Sequence, residues 1–374
     1  MQGTRRPVVL VWLALALGVM VAAASGAVAA PWQRGPTGLP STFAWSSSGE
    51  LISPKPDPTH LVVSTKDPSV LRYNDRWLVY ATTANVAGSW SLVYTSFTDW
   101  EQAADAPHYY LNQTAIGNGY RAAPQLFYFS PQQTWYLVYQ TGVPSYSTTT
   151  DPSKPETWSA PKNFQSSMPQ IVRDNIGNGY WVDFWVICEE VKPLPEGPTA
   201  EEAKCHLFSS DDNGHLYRAE TTVAEFPNGF DDTQIALSDP VGHKLYEGSA
   251  VHKIKGTDSY LLIVEAIGSD GRRYFRSWTG DTIDGEWVPL ADTEANPFTR
   301  FNNVTFPDGA WTSDISHGEL IRAGVDQSMQ IDPSCLQFLY QGKSALLNEG
   351  TVPYHLLPWR LGLLTQTQSA QACG

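Results

Sequence analysis

Short apolar runs, each long enough for a single strand, follow one another along this chain with aromatic side chains among them and Gly, Asn or Asp at the breaks. Tyr180 to Glu190 reads YWVDFWVICEE, apolar and aromatic on both alternating faces, as a strand buried on both sides should be. Five modules pair such a run with a turn and a second run. They are RYNDRWLVYATTA (Arg72 to Ala84), LFYFSPQQTWYLVYQTG (Leu126 to Gly142) and HLFSSDDNGHLYRAET (His206 to Thr221), with Asn213-Gly214 at its hairpin turn. VHKIKGTDSYLLIVEAIG (Val251 to Gly268) and LQFLYQGKSALLN (Leu336 to Asn348) complete the set. Corresponding strands recur roughly every 55 to 80 residues, and no long stretch carries helical periodicity. Repeated hairpins without helices predict an all-β, five-bladed β-propeller, with a jelly-roll sandwich as the main rival.

The first residues follow a different pattern. Arg5 and Arg6 precede an apolar run from Val8 to Ala24, and Ala27-Val28-Ala29 offers small residues to a signal peptidase. A signal peptide over 1–29 and one domain over 30–374 are expected, hence a secreted, extracellular protein; a membrane anchor is the alternative. Loss of Arg5 and Arg6 takes the net charge from −14 to −16, and no Lys/Arg-rich tract offsets it. That weighs against a nucleic-acid or anionic-membrane partner and suits a neutral ligand with apolar faces, such as a sugar. Four cysteines, Cys188, Cys205, Cys335 and Cys373, match no zinc spacing and read as disulfides or buried thiols. Val191 to Lys204 is Pro- and Glu-rich and reads as an exposed loop, while Asn112-Gln113-Thr114 and Asn303-Val304-Thr305 are glycosylation sequons.

No GxSxG elbow, HExxH helix, P-loop or dinucleotide fingerprint is present. The DDNG at Asp211 to Gly214 reads as a hairpin turn rather than a calcium loop. What remains is three acids in apolar or small surroundings. Asp67 lies in VVSTKDPSVLRY beside Lys66, where Pro68 is expected to close the strand. Asp183 sits inside the aromatic run, and Glu247 stands at a strand start in HKLYEGSAVHKI. Each alone reads as well as a structural or solvated acid. Together they suit glycoside hydrolysis, which needs a protonated carboxyl as donor, a carboxylate to activate water or attack carbon, and gains from a third acid that tunes the donor.

An ordered series of segments then sets the reading. LPSTFAWSSSGEL (Leu39 to Leu51), STKDPSV, RAAPQLFYFSP, VDFWVIC, SDDNGHLYRAET, FPNGF, LYEGSAVHK, YLLIVEAIG, RRYFRSWT, NNVTF, SDISHGELIRAG, LQFLYQG and YHLLPWRLGLLTQ run through nearly the whole mature chain. This series resembles the glycoside hydrolase family 62 α-L-arabinofuranosidases. The resemblance implies a five-bladed propeller, release of arabinofuranose branches from arabinoxylan with inversion, and a monomer that needs no catalytic cofactor. It also implies Asp67 as general base, Glu247 as general acid and Asp183 as the acid that tunes and positions the donor. Lys66 and Arg273 match sugar-binding residues, Tyr354 a wall of the sugar pocket, and His317 a histidine associated with a structural calcium ion in the central channel. The chain departs from the family in two places. Val191 to Lys204 looks like an insertion that would alter substrate fit if it lay at the active face. A cysteine usual before LPST is absent while Cys373 is extra, so the resemblance implies a Cys335–Cys373 pair. The competing functions are a related propeller hydrolase acting on arabinan or xylosides, and a non-catalytic carbohydrate-binding propeller.

Overall fold

The computed structural model describes residues 37–191, 197–347 and 352–368, with positions 1, 3, 35, 350 and 373. The chain separates into two units, Met1–Trp32 and Gln33–Gly374, and the architecture below belongs to the second. The expected cleavage after Ala29 and the apolar run before it lie outside the described residues.

Four sheets of four strands and one of five form five blades, and each predicted module falls in a different blade. Blade one starts at Val62–Tyr73, blade two at Ala122–Phe129, blade three at Val182–Cys188, blade four at Glu247–Lys253 and blade five at Ser316–Leu320. These are the inner strands. Each touches the inner strand of the next blade, and that of blade five touches blade one, so the ring closes. Closure is also made at the edge of blade five, where Trp45–Ser47 pairs antiparallel with Arg360–Gln366 and takes Val304–Thr305 as a short parallel edge. Apolar layers lie between blades. Tyr80, Leu92, Leu126, Leu137 and Trp158 pack blade one on blade two, and Val70, Val79, Leu339 and Leu361 pack it on blade five. Cys188–Cys205 bridges paired positions of the first two strands of blade three, and Cys335–Cys373 ties down the chain beyond Gln366, as the resemblance implied.

All five inner strands break register at one shared level, and that of blade one breaks a second time between Val62 and Ser64. The shared breaks fall between Lys66 and Ser69, Ala122 and Gln125, Val182 and Trp185, Glu247 and Ala250, and Ser316 and Gly318. Each is a β-bulge that leaves one residue over. In four of them that residue has positive φ: Asp67 at 47°, Ala123 at 49°, Asp183 at 57° and Gly248 at 62°. Pro68 therefore does not close its strand; it sits in the bulge, where a missing N–H removes no ladder bond, and the strand runs on to Tyr73.

A bulge takes one backbone N–H out of the ladder, and a buried N–H needs an acceptor. Gln341 Oε1 accepts from Asp67 N–H at 2.7 Å, and Thr82 Oγ1 accepts from Ala123 N–H at 2.8 Å. Gln140 Oε1 accepts from Asp183 N–H, and Glu265 Oε2 from His317 N–H, both at 2.8 Å. Each acceptor stands on the second strand of the preceding blade, opposite that blade's own bulge. The seam from blade three to blade four is different. The residue at that level is Ser210, whose buried Oγ has no partner among the described residues. Gly248 N–H is taken instead by the carboxylate of Asp183, at 2.9 Å.

The described part of the Val191 to Lys204 loop leaves the far end of the blade-three inner strand. Gly197 and Pro198 border a cavity with Cys188, Lys253 and Tyr260, while Asp183 lies at the other end of that strand. On its described residues the insertion is not at the face that carries Asp183.

Gln341→Leu tests the bulge caps. It removes the acceptor of Asp67 N–H while keeping the apolar volume, and should destabilise the protein by about 1–3 kcal/mol in urea unfolding. Unchanged stability would show that water serves the freed N–H as well.

Candidate active site

The bulges aim side chains of different blades at one place. Positive φ at Asp67 and Asp183 is tolerated because aspartate visits this region more readily than most residues. Lys66, Asp67, Asp183, Glu247, Arg273, His317 and Tyr354, the seven residues singled out from the sequence, all line one cleft of about 680 Å³. Its rim is aromatic: Tyr180 is 71% exposed, Tyr120 41% and Tyr354 36%, with Trp90 beside them. Flat apolar faces above a floor of charge suit a polyhydroxylated ligand.

The floor is a lattice of opposite charges. Lys66 Nζ lies 3.2 Å from Asp67 Oδ1 and donates to Tyr354 Oη at 2.9 Å. Burial alone would lower the Lys66 pKa, but Asp67, Tyr354 and Glu247 outweigh it and hold the ammonium charged. His317 Nδ1 lies 3.3 Å from Asp183 Oδ2 and 3.6 Å from Asp67 Oδ1. Burial opposes the charged imidazole as well, yet Asp183, Asp67 and Glu265 raise it to about 9. For Asp183 burial would raise the pKa; the His317 imidazolium, Lys66 and the Gly248 N–H overcome this and keep it below the usual carboxylate value. Arg273 is buried, ion-paired to Glu247 Oε1 at 2.5 Å and to Glu265 Oε1 at 3.0 Å. Burial raises the Glu247 pKa, Arg273 and Lys66 work against it, and the Asp183 charge adds to it; the net shift is upward. One acid is thus kept ionised and its neighbour favoured in the protonated form, the division that acid–base chemistry requires.

Two acids of this cluster were not singled out from the sequence. Glu265, in YLLIVEAIG, accepts from Ser316 Oγ and His317 N–H and pairs with Arg273, and burial pushes it up to about 7. An acid inside an apolar strand is the same signal that drew attention to Asp183. Asp212 lines the cleft from the turn after Ser210. Its DDNG context is indeed a hairpin connection, and that turn chemistry hid a site residue.

The calcium ion expected at His317 does not fit what is found. Among the described residues no group of three His, Cys, Asp or Glu side chains is placed to hold a metal. His317 Nδ1 is directed instead at the carboxylates of Asp183 and Asp67.

The model of glycosyl hydrolase family 62 matches residues 44–365. Alpha-L-arabinofuranosidase C of Cellvibrio japonicus (strain Ueda107) is 44% identical over 329 residues, which are 87% of this chain and 47% of that protein. The chain thus spans about half the length of this curated relative. The catalytic domain of the Coprinopsis cinerea GH62 alpha-L-arabinofuranosidase matches with a TM-score of 0.84 at 54% identity, over 89% of this chain and 100% of that one. A GH62 hydrolase in complex with xylotriose matches with a TM-score of 0.82 at 49% identity, over 87% and 98%.

The charged state of His317 makes a pH prediction. Its folded pKa of about 9 lies above the ordinary 6.5, so its contribution to stability is full below pH 6.5 and is lost as the pH rises toward 9. Glu247, Glu265 and Asp212, all with raised pKa values, act in the same direction, since the folded state holds their protons longer. The melting temperature should therefore fall between pH 6.5 and 9, and His317→Gln should flatten that fall. An equal slope in the variant would mean that His317 is neutral in the folded protein.

Proposed function

The chain belongs to glycosyl hydrolase family 62, and from that premise we propose that it is a secreted, inverting, exo-acting α-L-arabinofuranosidase that removes arabinofuranose branches from arabinoxylan as a monomer. The observation that carries the reading is the meeting of Asp67, Asp183 and Glu247, from three blades, in one aromatic-rimmed cleft where Asp183 is held below and Glu247 above the usual carboxylate range. A lectin needs no such division. The relative bound to xylotriose supports a xylan main chain as the carrier of the branch.

In the proposed reaction Glu247 donates its proton to the oxygen leaving with xylose, while Asp67 takes a proton from the water that attacks the anomeric carbon from the other face. Lys66, with Nζ 3.2 Å from Asp67 Oδ1, holds that carboxyl group in place. The transition state carries positive charge on the sugar ring, and Asp67 and Asp183 supply negative charge around it. Arg273 orients Glu247 through its ion pair. Tyr354, fixed by its hydroxyl to Lys66, offers a ring against which the furanose packs. No cofactor enters these steps.

The test of this reading is product analysis on wheat arabinoxylan, linear arabinan and unsubstituted xylan. Arabinose should appear from arabinoxylan, with β-arabinofuranose as the first anomer by NMR. Release mainly from arabinan, or of xylose from xylan, would favour the related hydrolase activities. An α-anomer first would remove Asp67 from the role of base, and no release from any of the three would leave a binding propeller.

Asp183→Asn separates a structural from a catalytic role for the central acid. An amide oxygen can still accept from Gly248 N–H, so the fold should survive with modest loss of melting temperature. The negative charge beside Glu247 is gone, so the pKa of the donor falls. The alkaline limb of the rate profile should then move to lower pH, and turnover should drop by about 10²–10⁴. An unshifted limb with near-normal turnover would make Asp183 a purely structural cap.

A further inference from the structure

Asp212 is an acid of the cleft with no task in the reaction above. It lies in the four-residue connection between Lys204–Ser210 and His215–Thr222 of blade three. Its main chain is pinned. The N–H donates at 3.2 Å to the carbonyl of Tyr246, the residue before Glu247. Its neighbour Asp211 fastens the turn by accepting from the N–H groups of Asn213 and His215 and from the Tyr217 hydroxyl. The φ of Asp212 is 55°, a conformation that Asp, Asn and Gly adopt at least cost. Held in this way, the residue borders the cleft together with Asp183, Glu247 and Arg273. Its Oδ1 is closed off from solvent and has no hydrogen-bond partner among the described residues. Native folds rarely leave such a group unpaired; the residue as a whole is only partly buried, and a turn of the carboxyl about its last side-chain bond would bring that oxygen to the cleft, where a ligand can complete the contact.

We infer that Asp212 is a specificity-determining residue of this site, whose carboxyl hydrogen-bonds one hydroxyl of the arabinofuranose seated over Glu247. The inference rests on the arabinofuranosidase reading. Charge supports it. Burial, followed by the Glu247 and Asp183 carboxylates, pushes Asp212 up to about 9 against the pull of Arg273 and with a further contribution from Asp211. At neutral pH the carboxyl therefore keeps its proton, so it donates as well as accepts and adds no third negative charge beside the donor. A site built around such a contact rejects a sugar that lacks the hydroxyl, because the buried carboxyl is then left unpaired.

The test uses 4-nitrophenyl α-L-arabinofuranoside and its 2-, 3- and 5-deoxy analogues with the wild type, Asp212→Asn and Asp212→Gly. Glycine removes the side chain and accepts positive φ without strain, so it is the cleaner deletion than alanine. On the parent substrate Asp212→Gly should lose about five- to tenfold in kcat/KM, and Asp212→Asn, neutral and able to donate and accept, should stay within about threefold. For one deoxy analogue, the one without the bound hydroxyl, wild type and Asp212→Gly should be equal. Equal losses on all four substrates would mean a structural role and overturn the inference, as would no loss in Asp212→Gly or an Asp212→Asn as poor as Asp212→Gly. A wild type that cleaves none of the four would overturn the arabinofuranosidase reading itself.

Discussion

A bulge in the inner strand of a propeller blade frees a backbone N–H inside the ring, and this chain has five of them at one level. Four seams meet the demand with a side chain whose main work is to cap: Gln341, Thr82, Gln140 and Glu265. At the seam from blade three to blade four the position that should supply the cap is Ser210, whose buried Oγ has no partner among the described residues. Asp183 takes its place on Gly248 N–H. A structural task for Asp183 therefore does not exclude a part in the chemistry. The bond that completes the ring also brings a carboxylate next to Glu247, since Gly248 follows Glu247 in the chain.

Charge balance explains how so many ionisable groups share one cleft. Isolated charges in such a place would be too costly to bury. Lys66, Arg273 and His317 are interleaved with Asp67, Asp183, Glu247 and Glu265, each cation reaching a carboxylate within 4 Å. The pairing is unequal in effect. Asp183 is served by His317, Lys66 and a backbone N–H and stays ionised, whereas for Glu247 burial, with the Asp183 charge added, outweighs Arg273 and Lys66. Caps and charges meet in Glu265, which holds His317 N–H with one oxygen and Arg273 with the other. Packing in blade four is thereby linked to the charge state of the acids in blades one and three.

Six of the seven site residues read from the sequence sit on strands and on the bulges within them, and Tyr354 stands in a single helical turn of the connection between the last two strands. Asp67, Asp183, Glu247 and His317 all belong to inner strands that are paired on one side and packed against neighbouring blades on the other. Such a base holds functional groups in fixed geometry. The aromatic rim is more exposed, and it is where a polymer of varied decoration would be accommodated.

Much of this was legible in the one-dimensional pattern. Aromatic hairpins recurring at long, uneven spacing marked five blades, and an acid inside YWVDFWVICEE marked a buried carboxylate worth explaining. Period-two alternation and turn residues act over a few neighbours, so a single sequence displays them directly. The resemblance to a known family added which acids to bring together. What only the tertiary structure decided is who meets whom. Gln341 caps Asp67 across 274 residues of chain, and Trp45–Ser47 closes the last blade against Arg360–Gln366. Pro68 was read as a strand end because the bulge that excuses it depends on an acceptor from another blade. Asp212 was read as a turn, which it is, because nothing local tells that the turn opens onto Glu247. Strand and turn formation are governed by nearest neighbours, whereas the cap of a bulge and the charge state of an acid are set by groups that only ring closure brings within reach.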